Sequence, residues 1–331
     1  MKILMLGWNA TSKYKSLLTN RQKIEVIKPN YLFGQEHDSI EDAVIYSKKV
    51  SHITKKLTFD IIQCSSWPEY LAGINIKKYS KKPLIINVSD TVFDRYKEIS
   101  NEEYEIEKQG FESADKIVVS SNRTKNIIIK KYNISQEKIE LIYFIDIAKR
   151  KKEISNKKTV LFVCRSYEHK DIEYFIKAAK EISRLEPITN FIIIGSKDVL
   201  HKIINNGIYL VKNNKLAFID KKEKEEITVA FDRADIVVAS SISDDFLANA
   251  VRFNTPIITS KAAAVSEVLK NSLKIDLSNT VEIVDKVVSL IRYDALGSEI
   301  RHNNKIESRG LSTREYAEKL LRVYNEVIKT W

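Results

Sequence analysis

The sequence is short of glycine and has no long apolar run. Glycine accounts for 8 of 331 residues, whereas average usage of about 7% would give roughly 23. Phosphate-binding loops use glycine because it lets the backbone come close to the ligand. A chain this poor in glycine can therefore hold few loops of that kind.

Cysteine is also scarce, with Cys64 and Cys164 each beside an apolar run and no second Cys or His at metal-ligand spacing. We expect buried free thiols rather than a disulfide or a metal site. No stretch approaches the ~20 apolar residues of a membrane-spanning helix, and the apolar run after Met1 is too short for a secretory signal. These absences predict a cytoplasmic protein.

Positive charge, in contrast, is in excess, with a formal net charge of +11. Such a charge favours nucleotide phosphates, anionic lipid headgroups or nucleic acid as partners. No nucleic-acid-binding motif accompanies it, so we expect no nucleic-acid partner. Peripheral contact with an anionic membrane and a solvated coat of lysines both stay open for the clusters Lys48-Lys49, Lys55-Lys56, Lys77-Lys78 with Lys81-Lys82, and Lys130-Lys131, which are interleaved with Tyr79 and Tyr132.

Short β-branched runs alternate with amphipathic helical patterns, which predicts repeated βα units and mostly parallel sheets. The first set of predicted strands comprises Lys2–Leu6, Lys23–Ile27, Asp60–Gln63, Leu84–Val88, Lys116–Ser120 and Glu140–Tyr143. The second set comprises Thr159–Cys164, Asn190–Gly195, Gly207–Val211, Ile236–Ser240 and Pro256–Thr259. Two Rossmann-like domains are therefore expected.

The polar, lysine-rich stretch Ala148–Lys158 predicts the linker between them. We expect domains at residues 1–147 and 157–310, followed by a helical segment at 311–331. Apolar residues recur at helical spacing in Asp171–Ile182 and in Ser312–Lys329. The last helix should pack on the first domain because its apolar stripe needs a partner surface.

Five segments in fixed order resemble motifs of one enzyme family. They are Phe59–Trp67, Tyr104–Ser120, Val160–Arg165 with Lys170, Phe231–Ser240, and Thr255–Thr259 with Glu267-Val268. Together they are similar to the family 4 retaining glycosyltransferases and the related glycogen synthases. The resemblance implies the α/β GT-B fold, in which two Rossmann-like domains face each other across a cleft.

That resemblance also implies an activity: transfer of a sugar from a nucleotide-sugar donor with retention of configuration. The first domain would bind the acceptor, an unknown glycan or a lipid-linked molecule, and the second the donor. Arg165 and Lys170 fall where the family binds the donor diphosphate and stabilises the leaving group. No cofactor and no obligatory metal are implied. The alternative to this role is that Arg165 and Lys170 are two surface cations without a ligand.

Several departures from the family motifs are visible. The first loop has one glycine, Gly7, where the family has a pair, and Ser89 replaces the sugar-contacting histidine. Asp244 or Asp245 and Asn249 replace the two glutamates that hold the sugar and the ribose, at a shorter spacing.

Each departure leaves alternatives open. Asp244 fits a helix N-cap as well as a sugar ligand. The whole chain fits an active glycosyltransferase, and it also fits a catalytically silent relative that acts as a binding or partner subunit.

Overall fold

The chain forms two compact units, Met1–Tyr143 with Thr313–Trp331 and Phe144–Ser312. The structure, a computed structural model, describes residues 1–6, 25–27, 39–95, 99–143, 157–164, 169–195, 207–220, 223–240, 253–261, 265–308 and 313–331.

The first unit contains a parallel sheet of six described strands in the order β2-β1-β3-β4-β5-β6. Its strands are β1 Lys2–Met5, β2 Glu25–Ile27, β3 Ile61–Cys64, β4 Leu84–Val88, β5 Lys116–Val119 and β6 Ile139–Leu141. Its helices are α1 Ile40–Thr54, α2 Tyr70–Ser80, α3 Val92–Arg95, α4 Asn101–Ser113 and α5 Asn122–Tyr132, with short 3-10 turns at Trp67–Glu69 and Gln136–Lys138.

The second unit repeats the pattern, with described strands in the order β12-β11-β10-β7-β8-β9, all parallel. The strands are β7 Thr159–Val163, β8 Asn190–Gly195, β9 Leu216–Asp220, β10 Ile236–Ala239, β11 Ile257–Ser260 and β12 Leu273–Ile275. The helices are α6 His169–Leu185, α7 Ile208–Lys212, α8 Lys224–Arg233, α9 Val265–Val268, α10 Thr280–Arg292 and α11 Asp294–Glu307. The predicted α/β class with two parallel sheets is confirmed.

One predicted strand is wrong. Residues Gly207–Val211 do not form a strand, because the helix α7 occupies that stretch and the strand follows at Leu216–Asp220. In α7 Leu210 is buried while Tyr209 is 66% exposed, which is the one-sided burial of a short surface helix. A short apolar run cannot distinguish a strand from a helical turn by periodicity alone. Strand β12 was not predicted at all.

The last helix, α12 Thr313–Thr330, packs within the first unit. Its buried stripe includes Leu320, Tyr324 and Val327. The Tyr324 hydroxyl donates to Gln63 Oε1 on β3, and the Trp331 indole N–H donates to the Lys81 carbonyl at 2.8 Å. The first contact joins α12 to strand β3, and the second joins the residue after α12 to the residue after α2.

In the ranges that the structure describes, no helix is long and apolar enough to cross a membrane.

Candidate functional site

Both sheets have a point at which successive connections leave in opposite directions. In the first sheet this point lies between β1 and β3, and in the second between β7 and β10. Ligands of open parallel sheets bind outside the carboxyl ends of the strands at such points. The residues that end β1, β3, β7 and β10, and those that follow them, are therefore the place to look for chemistry, together with the turn after β4, the strand next to β3.

In the second unit, the residues at and after the carboxyl ends of the strands include a lysine and buried hydroxyl groups. Lys170 is exposed and is the second residue of α6, the helix that follows β7 in the chain. Among the described residues, Ser240 after β10 and Thr259 on β11 have buried hydroxyl oxygens with no hydrogen-bond partner. Cys164 is buried, and its thiol donates a hydrogen bond to the Ile194 carbonyl at 3.4 Å.

Most of the residues predicted for the donor site lie outside the described residues: Arg165, Asp244, Asp245, Asn249 and Gly7. Their roles stay predictions. Lys170 belongs to the second unit, whereas Ser89 belongs to the first and is exposed in the turn after β4.

The turn after β4 is fixed by side chains at its far end. Asp94 caps it, because Asp94 Oδ2 accepts the Thr91 backbone N–H at 3.1 Å and the Thr91 hydroxyl at 3.0 Å. The Thr91 carbonyl in turn accepts the N–H groups of Asp94 at 2.8 Å and Arg95 at 3.1 Å. Thr91 is fully buried and Asp94 nearly so. Ser89 is therefore attached to a rigid one-turn helix rather than to an open loop.

A second layer of charged groups surrounds that turn. Arg95 donates to Asp90 Oδ1 at 2.7 Å, to Glu107 Oε1 at 2.6 Å and to Glu103 Oε2 at 3.1 Å. Glu107 Oε2 accepts the Val92 backbone N–H at 3.0 Å. Burial raises the pKa of Glu107, while Arg95 lowers it. The buried carboxyl group is thus matched by a cation and by neutral donors.

Tyr132 belongs to the same cluster, which corrects its predicted place among exposed residues of a basic surface. It is 1% exposed, and its hydroxyl donates to Glu107 Oε2. Burial and the Glu107 carboxyl group raise the pKa of Tyr132. The phenol consequently keeps its proton and remains a donor.

Another buried carboxyl group, that of Glu69, binds the residues that follow β3. Glu69 Oε2 accepts the backbone N–H groups of Ser65 at 2.6 Å and Ser66 at 3.3 Å, and Oε1 accepts the Ser66 hydroxyl at 2.6 Å. Burial raises the pKa of Glu69 to about 7 against these hydrogen bonds. The carboxyl group thus holds the chain where it leaves β3 at the same edge as the β4 turn.

Two families of known proteins match consecutive parts of the chain. Residues 9–144 match the family described as Glycosyltransferase Family 4, and residues 144–304 match the family described as Glycosyl transferases group 1. The chain is a glycosyltransferase. The two matches meet where the two compact units divide.

Curated relatives of this glycosyltransferase carry the same activity in their names. An uncharacterized glycosyltransferase of Methanocaldococcus jannaschii is 22% identical over 328 residues, covering 82% of this chain and 84% of that protein. The O-antigen chain mannosyltransferase RfbU of Salmonella typhimurium is 30% identical over 165 residues, covering 47% of this chain and 44% of that protein.

Two solved structures share the fold along nearly the whole chain. Sucrose-phosphate synthase from Thermosynechococcus elongatus has a TM-score of 0.75 at 14% identity, covering 100% of this chain and 99% of that one. Anabaena HepE, solved with UDP-glucose, has a TM-score of 0.72 at 15% identity, covering 98% of this chain and 100% of that one. The GT-B fold expected for this glycosyltransferase is confirmed.

The cluster around Glu107 is the feature that sequence reasoning missed. Glu107 lies in the family-like segment Tyr104–Ser120, but the sequence predicts no role for it or for Arg95. The available signal was an acidic residue beside Ile106 and close to Gly110, in a segment that the structure shows to be helix α4. Because the partners Val92 and Tyr132 are 15 and 25 residues away, only the fold brings the cluster together.

Proposed function

We propose that this glycosyltransferase moves a hexose from a nucleotide-sugar donor to a glycan or lipid-linked acceptor with retention of configuration, without a cofactor or an obligatory metal. The two family matches across residues 9–304 carry the proposal. The mannosyltransferase name of the Salmonella relative and the UDP-glucose bound in HepE support a hexose donor.

The central step breaks the bond between the anomeric carbon and the diphosphate oxygen, and the acceptor hydroxyl oxygen forms a bond to that same carbon while its proton passes to the departing diphosphate. The bonding electron pair leaves with the diphosphate, so negative charge grows on its oxygen. Arg165 and Lys170 are the cations proposed to meet it. Fixed cations stabilise this charge more in the transition state than in the ground state.

The remaining donor contacts are assigned by the resemblance. Gly7 would approach the phosphates, and Asn249 would hold the ribose, since an amide keeps hydrogen-bonding capacity without charge. Asp244 or Asp245 and Ser89 would contact the sugar. The unpaired hydroxyl groups of Ser240 and Thr259 are consistent with a polar ligand at the ends of β10 and β11.

Nucleotide binding tests the donor proposal directly. Calorimetric titration with UDP, GDP and ADP in turn should give saturable binding of one of them. A catalytically silent relative that recognises only proteins would bind none. Saturable binding with no turnover of the matching nucleotide-sugar, with or without candidate acceptors, would favour the silent alternative.

The diphosphate contacts predict a first mutational result. Arg165→Ala should lower kcat/KM by about 10²-fold or more, the scale for losing one donor to a developing anion. Lys170→Ala should act in the same direction. Lys180→Ala is the matched control, because Lys180 is an exposed lysine further along the same helix, α6. Unchanged steady-state kinetics in both site variants would contradict the proposed role.

Peripheral membrane contact is proposed as well, since a lipid-linked acceptor would be held at a bilayer. Its support is a cluster that we name the basic rim: Lys55, Lys56, Lys77, Lys78, Lys81 and Lys82. These residues lie in or just after the last turns of α1 and α2. The two ends are joined by the hydrogen bond between Thr54 and Tyr79, at 2.6 Å.

A further inference from the structure

The buried charges beside the β4 turn are costly, and a stability role does not explain them well. Removing ionised groups from water costs several kcal/mol each, and well-packed apolar residues often stabilise as much. Glu107 is 1% exposed and Glu103 7% exposed, and both face one guanidinium group, that of Arg95. The best-attested use of such a cluster is to specify one geometry.

Glu107 reaches both sides of the turn. Directly, its Oε2 accepts the Val92 N–H at 3.0 Å. Indirectly, its Oε1 accepts a hydrogen bond from Arg95 at 2.6 Å, and Arg95 also donates to Asp90 Oδ1 at 2.7 Å. Asp90 is the residue after Ser89, so a single carboxyl group fixes the backbone on the far side of the turn and the side chain next to Ser89.

Two further contacts prevent Glu107 itself from moving. The Tyr132 hydroxyl at the end of α5 donates to the same oxygen that binds Val92. Tyr132 in turn lies against the rings of Phe93, Tyr104 and Phe111, with centroids 5.6, 5.0 and 4.9 Å away. The position of the turn is therefore set by α4 and α5 together.

We propose that Glu107 is a positioning residue that holds the turn Ser89–Val92 so that Ser89 is presented to the donor sugar in one orientation. The proposal rests on the proposed function, because Ser89 is assigned there as a sugar contact. Glu107 acts through Arg95 and the Val92 amide and does not itself contact the substrate.

The neighbouring acid Glu103 provides an internal contrast. It lies on the same helix and binds the same guanidinium group at 3.1 Å. Among the described contacts, its carboxyl group has none to the backbone of the turn. Glu103→Gln should therefore disturb the turn less than Glu107→Gln, although both changes remove one buried negative charge.

Amide hydrogen exchange tests the geometry without any substrate. In the full-length protein, Glu107→Ala should speed exchange of the backbone amides of residues 90–95 by about 10-fold or more, because the Val92 amide loses its acceptor. Glu107→Gln, which keeps an acceptor oxygen, should give a smaller increase. The matched control is Glu105→Gln, an exposed acid on the same helix, and it should leave exchange unchanged.

Turnover tests the consequence. With UDP-glucose, GDP-mannose or ADP-glucose, chosen by the nucleotide that binds, Glu107→Gln should lower kcat by about 10- to 100-fold, the scale of a misplaced contact. The Kd of the free nucleotide should stay within about 2-fold, since Ser89 is proposed to contact the sugar and not the nucleotide. Folding of each variant is checked by circular dichroism at the assay temperature.

The outcomes separate the two proposals. Unchanged exchange at residues 90–95 in Glu107→Ala, or a kcat for Glu107→Gln equal to that of Glu105→Gln, would overturn the positioning role. If the wild type binds none of the three nucleotides, the donor proposal fails instead, and the exchange experiment still decides whether Glu107 holds the turn.

Discussion

Two buried carboxyl groups, Glu69 and Glu107, hold the chain where it leaves β3 and β4 in the first unit. Each accepts backbone N–H groups of the residues that follow the strand. They differ in their counter-charge, because Glu107 has Arg95 and the described contacts of Glu69 are all with neutral donors. Glu69 is accordingly the group whose protonation should respond to pH near neutrality.

Glu69 predicts a pH dependence of stability. Burial raises its pKa to about 7 in the folded protein, above the ~4.3 of an unfolded chain. The folded state therefore binds this proton more tightly, and the free energy of unfolding falls as pH rises from about 4 through 7. Between pH 5 and pH 8 this one group should lower the stability by about 2–3 kcal/mol.

Urea unfolding of wild type and Glu69→Gln at both pH values measures this effect. The wild type should lose more stability than the variant between pH 5 and pH 8, because the amide does not titrate. Glu105→Gln, which replaces an exposed acid, should follow the wild type. Parallel pH profiles for wild type and Glu69→Gln would show that the carboxyl group does not titrate in this range.

At this scale the sequence predicts only some residues of the candidate site, and their roles stay predictions. Lys170 and Ser89 could be named because they fall at positions in family-like motifs. Glu107 could not be assigned a role, because its partners are supplied by a turn and by a different helix. Tyr132 was expected beside exposed lysines, and its burial depends on three aromatic rings from α3 and α4.

Among the elements, α2 and α4 show why the few glycines matter for packing. Gly110 on α4 faces the ring of Tyr70, and a Cβ at this position would lie 2.6 Å from the Tyr70 ring atom Cδ2. Tyr70 is 2% exposed and cannot move away. Glycine is thus used here for helix contact, in agreement with a chain that has few glycine-rich phosphate loops.

Two Gly→Ala substitutions, which should change the free energy of unfolding in opposite directions, test this interpretation. Gly110→Ala should lower the free energy of unfolding by about 1–2 kcal/mol, because overpacking outweighs the better helix propensity of alanine. Gly297 on α11 is also helical, but its Cβ would meet only the end of the Arg301 side chain, at 3.3 Å, and Pro256 at 3.7 Å. Gly297→Ala should therefore raise stability by about 0.5–1 kcal/mol.

Thermal and urea unfolding of the two variants provide the measurement. Similar shifts for Gly110→Ala and Gly297→Ala would mean that helix propensity dominates and that the contact with Tyr70 adapts.

Element prediction from the sequence succeeded where periodicity was sustained. The apolar stripe predicted for Ser312–Lys329 is the buried face of α12. Of the strands in the described residues, all except β9 and β12 overlap their predicted runs. Strand β9 was misplaced because the run before it, Ile208–Val211, is equally apolar. Strand β12 has three residues, too few for an alternating pattern to be detected.

For the whole molecule, the net charge of +11 bears on contact with an anionic membrane. The basic rim precedes β3 and β4 in the chain, at the amino ends of these strands, whereas Ser89 follows β4 at its carboxyl end. Lysines in the last turn of a helix also stabilise the helix, because their positive charge interacts favourably with the helix dipole. One of them, Lys77, is already paired with Asp115 at 2.7 Å and lies over the Trp331 ring.

Co-sedimentation with vesicles distinguishes membrane contact from a helix-capping role. Each rim lysine near an anionic bilayer contributes up to about 1 kcal/mol, and this attraction is screened by salt. We expect the protein to sediment with anionic vesicles and not with neutral ones, and to be released as salt rises. The triple variant Lys55→Glu/Lys78→Glu/Lys82→Glu should abolish sedimentation.

The matched control reverses three exposed lysines of the second unit, Lys177→Glu/Lys180→Glu/Lys212→Glu, and should still sediment. Equal loss in both triple variants would indicate that net charge alone governs binding. If the wild type does not sediment even at low salt, the basic rim does not bind membranes and its lysines only stabilise the ends of α1 and α2. Binding through the basic rim would place the amino ends of β3 and β4 next to the bilayer. The turn after β4, at the opposite end of the strand, would then face away from the bilayer. A lipid-linked acceptor would then have to extend past that unit to reach Ser89.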